Sequence, residues 1–535
     1  MRERKPPAAP PSPSGMLDRL GRWCDRAVLA ILPERGLRRM MFRAGQQRAA
    51  LQAARMQHTD GGEKDESRAR SWLGSRLSPD SGLEQDQVEL RKNSRELYLN
   101  DTIGGAVDSR MNLVVSRGFT PQARIKARPG LCSQAEADRY NDEFEEVYRR
   151  LGPGISKSGK QTLWQLLRLI ERHVGFDGEA FVLLADRGGA DKPIPLTLDV
   201  IDPERVETPP QMGGKANVRM GVETDAGGRI VAYHVRDAHP GDSLDVKQTY
   251  TRYLAERVLH VYEPWFAGQS RAFPWLTRAI KRAKDAKDFD EATIIAAQIQ
   301  ACYAVFVTAP LGALRAAEGA ATDLVNGQRV EDIRPGSIKY LEDGQTAMPG
   351  GPSSPGNTFE PFQQWNYRRI AAGINWPFEM VAKNWSGLSF AAGRLALTDC
   401  KLSVRADQQL LDQIVLQIVW ARLVYEAVLA GATSLTSKRY RLDPWWFSQV
   451  EWSAPPWPFA LTPGEEVDAE LALVNNNIKP KASMVAEYTG GDFIEVANLR
   501  AAERALEREL EIEPATAEVP EATLKPQTLE SVGAK

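Results

Sequence analysis

The stretch Gly154-Ile-Ser-Lys-Ser-Gly159-Lys160-Gln161-Thr162 is the nearest approach to a chemistry-bearing motif in this 535-residue chain. A glycine-rich loop of this kind can cradle phosphates with its backbone N–H groups and its lysine. Two features count against it. The Ser or Thr required after the lysine is Gln161, and Phe144 to Arg150 carry helical spacing where a buried strand should stand. The ordinary reading is a glycine-rich turn with Thr162 capping the next helix. His58, His173, His234, His239 and His260 are scattered, and His260 lies in an alternating strand-like run, as a structural histidine would. Cys24, Cys132, Cys302 and Cys400 are far apart and form no Cys-x-x-Cys pair. We therefore expect no disulfide, no metal site, no cofactor and a reducing compartment. No Gly-x-Ser-x-Gly elbow occurs, and no spacing singles out a catalytic carboxylate pair.

Composition narrows the class further. A formal net charge of -2 excludes a globally basic nucleic-acid binder. It leaves room for contact with DNA through a narrow ring of charge, since many phosphate contacts would stop a duplex from sliding. The length exceeds what one hydrophobic core supports, so about two to four units are expected. No apolar run reaches membrane-spanning length, and the Pro-rich start lacks a signal-peptide core, which predicts a soluble protein assembled inside the cell.

The elements that must position any site follow from periodicity. Met1 to Ser14 reads as disordered, and residues 16–58 as a pair of peripheral helices broken at Pro33, packing on a neighbouring subunit or offering a basic surface to a partner. A linker covers Gly61 to Ser81. Leu99, Ile103, Val107, Met111 and Val115 predict one helix face. Ser133 with Glu136 predicts a capping box opening the next helix, and Leu163, Leu166, Leu167 and Ile170 a third. Strands follow over Ala180–Leu184 and Leu196–Ile201, with a hairpin turn at Asp225-Ala226-Gly227-Gly228, so the fold class is helix-rich α+β.

From Pro274 one helix is predicted to reach about Val307, roughly 45 Å at 1.5 Å per residue. Its first part bears Arg278, Lys281, Arg282, Lys284 and Lys287. These make either a solvated face with local ion pairs or, in a ring of many copies, a band of positive charge. Pro and Gly punctuate Ala309 to Phe359, where Ser337 to Leu341 alternates like an exposed strand. Glu360 to Gly373 returns as a shorter helix that ends near Trp376-Pro377. A small-residue loop comes next: Ser386, Gly387 and Ser389 around Leu388 and Phe390. With no catalytic polar group in it, this segment reads as a moving mechanical part. A long helix or helix pair runs from about Arg394 to Ala430, with Leu402, Val404, Leu410, Leu411, Ile414, Val415, Ile418 and Val419 on its apolar face. The Trp445 to Pro458 region reads as a packing corner rather than a base-stacking platform.

The order of these parts resembles the lambda family of phage portal proteins. The resemblance spans roughly residues 30 to 465. It rests on Arg368 to Leu397, on Val258 to Leu276 with its Gln269-x-Arg271 and following prolines, on Ile201-Asp202-Pro203-Glu204-Arg205, on His239-Pro240-Gly241-Asp242, and on Arg91 to Phe119. The family usually has glycine after that arginine; here it is Ala272. The resemblance implies a portal fold: an N-terminal peripheral segment (1–88), a wing (89–273), a stem helix (274–307), a clip (308–358), a return helix (359–373), a tunnel loop with its long helix (374–462), crown-like helices (463–511) and a flexible tail (512–535). It implies a homo-oligomeric ring of twelve copies around double-stranded DNA. The implied partners are the terminase large subunit, the major capsid protein and the head-tail connector, with assembly in the host bacterial cytoplasm and a final place at the virion's portal vertex. DNA-facing residues would be Arg278, Lys281, Arg282, Lys383, Asn384, Ser386, Gly387, Leu388, Ser389 and Phe390. The rival classes are a capsid scaffold or head-tail adaptor, and a terminase-like P-loop ATPase, which would need a sound phosphate loop.

Overall fold

The computed structural model describes residues 77–186, 194–215, 217–242, 249–301, 359–458 and 462–510, with residue 356 and four short strands between 306 and 341. The expected disordered start, peripheral helices, flexible tail and most of the 308–358 excursion lie outside the described residues. The chain divides into two compact units. Residues 77–86 with 266–269 belong to the first, and residues 87–265 with 270–510 to the second. In the first, Ser81 N–H donates to Ser78 Oγ (3.2 Å) and Phe266 N–H to Gln269 Oε1 (3.0 Å).

The second unit carries nearly all the architecture. The single helix expected from Leu99 to Val115 is two, α1 (Pro79–Asn100), which belongs to this unit from Gln87 onward, and α2 (Gly104–Val115). Asp101 Oδ1 accepts the Ile103 N–H at 3.0 Å, and a Cβ on Gly104 would lie 2.2 Å from the Tyr98 carbonyl oxygen, so the chain turns there. Leu99 is left 74% exposed, and Leu97 is buried in its stead. After β1 (Thr120–Ala123), α3 (Gln134–Leu151) opens with the Ser133–Glu136 capping box and α4 (Leu163–Phe176) with a Thr162–Gln165 box. The glycine-rich loop between them follows a helix, and its groups are tied inward: Gln161 N–H donates to Ser156 Oγ and Lys157 N–H to the Leu198 carbonyl.

A three-stranded antiparallel sheet has the order β3-β2-β8, with β2 (Glu179–Asp186) between β3 (Leu196–Ile201) and β8 (Val258–Tyr262). Both faces of β2 are covered, which explains its unbroken apolar run. Ala180, Val182 and Leu184 enter the main core with the helices, while Phe181 and Leu183 enter a second core with Val222, Tyr233 and Val235. Those last three come from a four-stranded meander, β4 (Val218–Arg219), β5 (Val222–Thr224), β6 (Ile230–Arg236) and β7 (Tyr250–Leu254). Its predicted turn is built on Asp225 Oδ1, which accepts the N–H groups of Gly227 and Arg229.

The helix expected from Pro274 to Val307 is shorter. Trp275–Arg278 form a 3₁₀ turn, and α5 (Ile280–Ala301) has 22 residues, about 33 Å. Phe306–Thr308 (β9) is extended; β10 (Asp323–Val325) pairs with β11 (Gln328–Val330), and β12 (Lys339–Leu341) pairs in parallel with β9. The return helix α6 (Phe359–Gly373) packs beside α5, and Pro377 opens the short α7 (Phe378–Ala382).

The helix after the loop starts earlier than expected. In α8 (Phe390–Leu411) the Ser389 hydroxyl accepts the Ala392 N–H, so Phe390, Ala391 and Ala392 form a first turn rather than loop. A π turn, Asp412–Leu416, joins α8 to α9 (Gln417–Leu429). Val404, Leu411, Val415 and Val419 are buried as expected, but Leu402 is 64% exposed and lies off the buried stripe. Beyond come α10 (Ser437–Tyr440), α11 (Pro444–Phe447) and β13 (Val450–Ser453), which pairs with β1. Trp452 packs on Tyr148 and Trp420, whereas Trp445 faces solvent. Three helices follow, α12 (Pro463–Asn475), α13 (Lys481–Thr489) and α14 (Phe493–Glu509). No described helix is long and apolar enough to cross a membrane.

Candidate functional site

Blocks far apart in the sequence meet around Glu179, at the start of β2. Arg271 Nε donates to Glu179 Oε1 at 2.7 Å, and its Nη groups reach the carbonyls of Val206 (2.8 Å), Pro203 (3.0 Å) and Met220. Arg91 of α1 pairs with the same carboxylate, His260 Nε2 lies 2.9 Å from Oε2, and the Ala272 N–H donates to Oε2 at 3.1 Å. Ala272 occupies the family's glycine position without strain, since its φ is not positive. Burial opposes ionisation of Glu179, but Arg271, Arg91 and His260 together outweigh it and hold the carboxyl far below its usual range. Burial in turn lowers Arg91 to about 10. Beside this hub, Arg95 forks onto Asp177 at 2.7 and 2.8 Å and reaches Asp202 at 2.8 Å. Every charge faces another inside the fold, so the hub fixes α1, β2 and the Pro203 turn.

A second buried cluster ties the loop-bearing helix to the core. Arg110 of α2 makes a bidentate pair with Asp407 of α8 (2.8 and 2.7 Å) and lies 3.3 Å from Glu171 of α4, with its guanidinium 4.8 Å from the Trp275 ring centroid. Burial, with the neighbouring Asp407 charge and against the pull of Arg110, pushes Glu171 up to about 8. The helix α2 crosses α4 closely at Gly175, where a Cβ would meet Val107 at 2.7 Å. None of Glu179, Arg110, Glu171 and Asp407 stood out from the sequence. The available signal was a charge at the edge of the apolar run EAFVLL and an arginine inside the helical stretch GGAVDSRMNLVV.

The residues expected to face DNA fall into two groups, with no hydrogen bond or ion pair between them among the described residues. Arg278 ends the 3₁₀ turn with its guanidinium 4.5 Å from the Trp265 ring centroid, while Lys281 and Arg282 stand exposed on the first turn of α5. The other group joins α7 to α8. Lys383 adopts a left-handed φ of 52° and its Nζ donates to Ser109 Oγ at 2.5 Å. Asn384 Oδ1 accepts the Ser386 N–H at 3.0 Å and the Ser386 hydroxyl at 2.5 Å. Gly387 has φ 72°, Leu388 is half-buried, Ser389 caps α8, and Phe390 is 57% exposed. The loop is thus short and stitched by its own side chains. Among the described residues no group of His, Cys, Asp and Glu is arranged to hold a metal.

Residues 65–408 match the family described as "Phage portal protein, lambda family". A "Probable portal protein" of Halomonas phage phiHAP-1 is 24% identical over 418 residues, covering 75% of this chain and 77% of that protein. "Portal protein B" of Escherichia phage lambda is 21% identical over 364 residues, covering 62% and 67%. Among solved structures, "Neck of empty GTA particle computed with C6 symmetry" is similar at 16% identity with a TM-score of 0.38, covering 75% of this chain and 92% of that one. With a family match across most of its length, this chain belongs to the lambda family of phage portal proteins.

Proposed function

We propose that identical copies of this chain close into a ring, twelve in the virion, that guides double-stranded DNA through one capsid vertex. The observation that carries this is the α5/α6 pair. Among the described side chains, those buried are Ala283 and Ala286 from α5 and Gln363, Asn366, Ile370 and Ala371 from α6, while Phe289, Ile294, Ile295, Phe362 and Trp365 stay 40% or more exposed. A helix pair that buries so little against itself needs lateral neighbours. On this reading α5 and α6 are the stem, residues 308–358 the clip that meets the terminase large subunit and later the head-tail connector, residues 89–273 and 374–462 the wing and tunnel segment, and residues 463–511 the crown. The major capsid protein would surround the ring, which assembles in the bacterial cytoplasm. Packaging work belongs to the separate terminase motor, and the role of this chain is structural. Cyclic symmetry turns Lys281 and Arg282 into rings of charge and the Lys383 to Phe390 segment into a collar. Arg278 sits beside them, with its guanidinium over the Trp265 ring. Native mass spectrometry of the purified chain should show a closed ring near twelve copies; monomers or dimers at every concentration would overturn the reading.

A further inference from the structure

The surface where α10 and α11 meet the chain leaving β1 carries exposed cations beside an open indole. Trp445 is 70% exposed and Leu442 65%, and the half-buried Trp446 follows directly. Arg128 lies over Trp446 with its guanidinium 5.0 Å from the ring centroid, and the Trp446 indole N–H donates to the Lys126 carbonyl at 3.2 Å. The acids at this surface are already matched: Asp443 by Arg128 at 2.8 Å, Glu136 by Arg439 at 2.7 Å and Glu451 by Arg124 at 3.1 Å. Asp138 and Arg139, next along α3, cancel in net charge. Lys126, Lys438 and Arg441 are left over, exposed and without an ion pair among the described residues.

Spare cations around an open indole fit a segment that brings carboxylates and flat apolar rings together. The chain itself contains one. Residues 511–526, directly after α14 and outside the described residues, read EIEPATAEVPEATLKP, with four glutamates against one lysine. On a polyproline II strand, which turns every three residues, Pro514, Pro520 and Pro526 share one edge, Glu518 and Glu521 the next, and Lys525 falls on the third. A proline edge is the form in which such strands meet aromatic surfaces. The reach is sufficient. Asp492, the N-cap of α14, lines one cavity with Gln122 of β1, and Lys126 lies just past the end of that strand. From there α14 runs 17 residues, about 26 Å. Residues 511–526 extend about 50 Å at roughly 3.1 Å per residue, enough to come back along it.

We infer that this surface is the docking site of the chain's own C-terminal tail, with the proline edge of residues 514–526 laid against Trp445 and the Glu518 and Glu521 carboxylates at Lys438 and Arg441. An acidic or phosphate-bearing molecule from outside must then displace the tail to reach those cations. The contact lies within one subunit and does not depend on the ring proposed above.

The test uses the full chain. A carbodiimide, which joins a carboxylate to an amine in direct contact, should link Glu518 or Glu521 to Lys438 or Lys126, and the linked peptides should come from the single-chain band of a denaturing gel. Hydroxyl-radical oxidation, read by peptide mass spectrometry, should be about threefold or more faster at Trp445 in Pro520→Asp and in the Glu518→Lys, Glu521→Lys variant, because an opened contact bares the covered face of the ring. Lys438→Glu with Arg441→Glu should do the same. Combining the two charge reversals should restore the protection, with thermal melting as the check that each variant is folded. Equal oxidation of Trp445 in the wild type and the tail variants would overturn the proposal. Links confined to the two-chain band would put a neighbour's tail on the surface and overturn docking within one subunit. If a short DNA duplex protected Trp445 while the tail variants changed nothing, the cations would form a phosphate-binding surface instead and the tail would have no part in it.

Discussion

At the residue scale, the two buried clusters respond to pH in opposite directions. Glu179 is ionised deep in the fold, so its partners stabilise the native state fully above the ordinary carboxyl value of 4.5, and that stability is lost as pH falls toward its depressed folded value. Arg271→Met would strand the carboxylate without its best partner and should cost roughly 3–5 kcal/mol in denaturant melts. Glu171 runs the other way. Its folded value of about 8 lies above the unfolded 4.5, so the native state holds an extra proton between those limits and stability falls as pH rises through that window. The steepest slope is about 1.4 kcal/mol per pH unit. Glu171→Gln, which keeps the neutral shape, should match the wild type below pH 4.5 and gain on it steadily up to about pH 8, where the advantage levels off. A parallel loss of stability in both proteins across that range would contradict a buried protonated Glu171.

At the element scale, the loop between α7 and α8 is held by its caps and turns. Excising Ser386 to Leu388 spares the Ser389 cap and should leave rings intact while lowering the yield of DNA-filled heads in a packaging assay. Loss of the rings themselves would make this an assembly element. Ser389→Ala alone should cost about 1 kcal/mol, the usual penalty for an N-cap. What the sequence disclosed tracks the range of the forces involved. The Ser133–Glu136 box, the Asp225 turn and the apolar β2 run depend on neighbours a few residues away, and all were legible. The break at Asp101–Ile103 was not, because a regular apolar spacing carried across it. Neither were the hub and the clamp, whose partners Glu179 and Arg271, or Arg110 and Asp407, lie 92 and 297 residues apart. The early start of α8 was hidden by small residues that suit a loop and a helix alike.

At the scale of the whole molecule, charge at the α5 start is the feature that symmetry multiplies. Replacing Lys281 and Arg282 together by glutamine should leave rings assembled yet reduce DNA retention, and the deficit should shrink as added salt screens the wild-type field. Equal retention in both proteins would return these residues to an ordinary solvated face. Rotational phase is a separate matter, and it is governed by the π turn Asp412–Leu416. A π turn amounts to one residue more than the regular helix needs, and each helical residue advances the side chains by about 100°. Removing a single residue there, such as Gln413, would let the backbone heal into an unbroken α-helix. It would also swing α8 about its axis relative to α9, carrying Asp407 away from Arg110 and turning Phe390 toward a different neighbour. The heading of the loop is therefore written as a count of residues some twenty positions downstream of it, and a one-residue deletion could redirect the loop without altering a single letter of its own sequence.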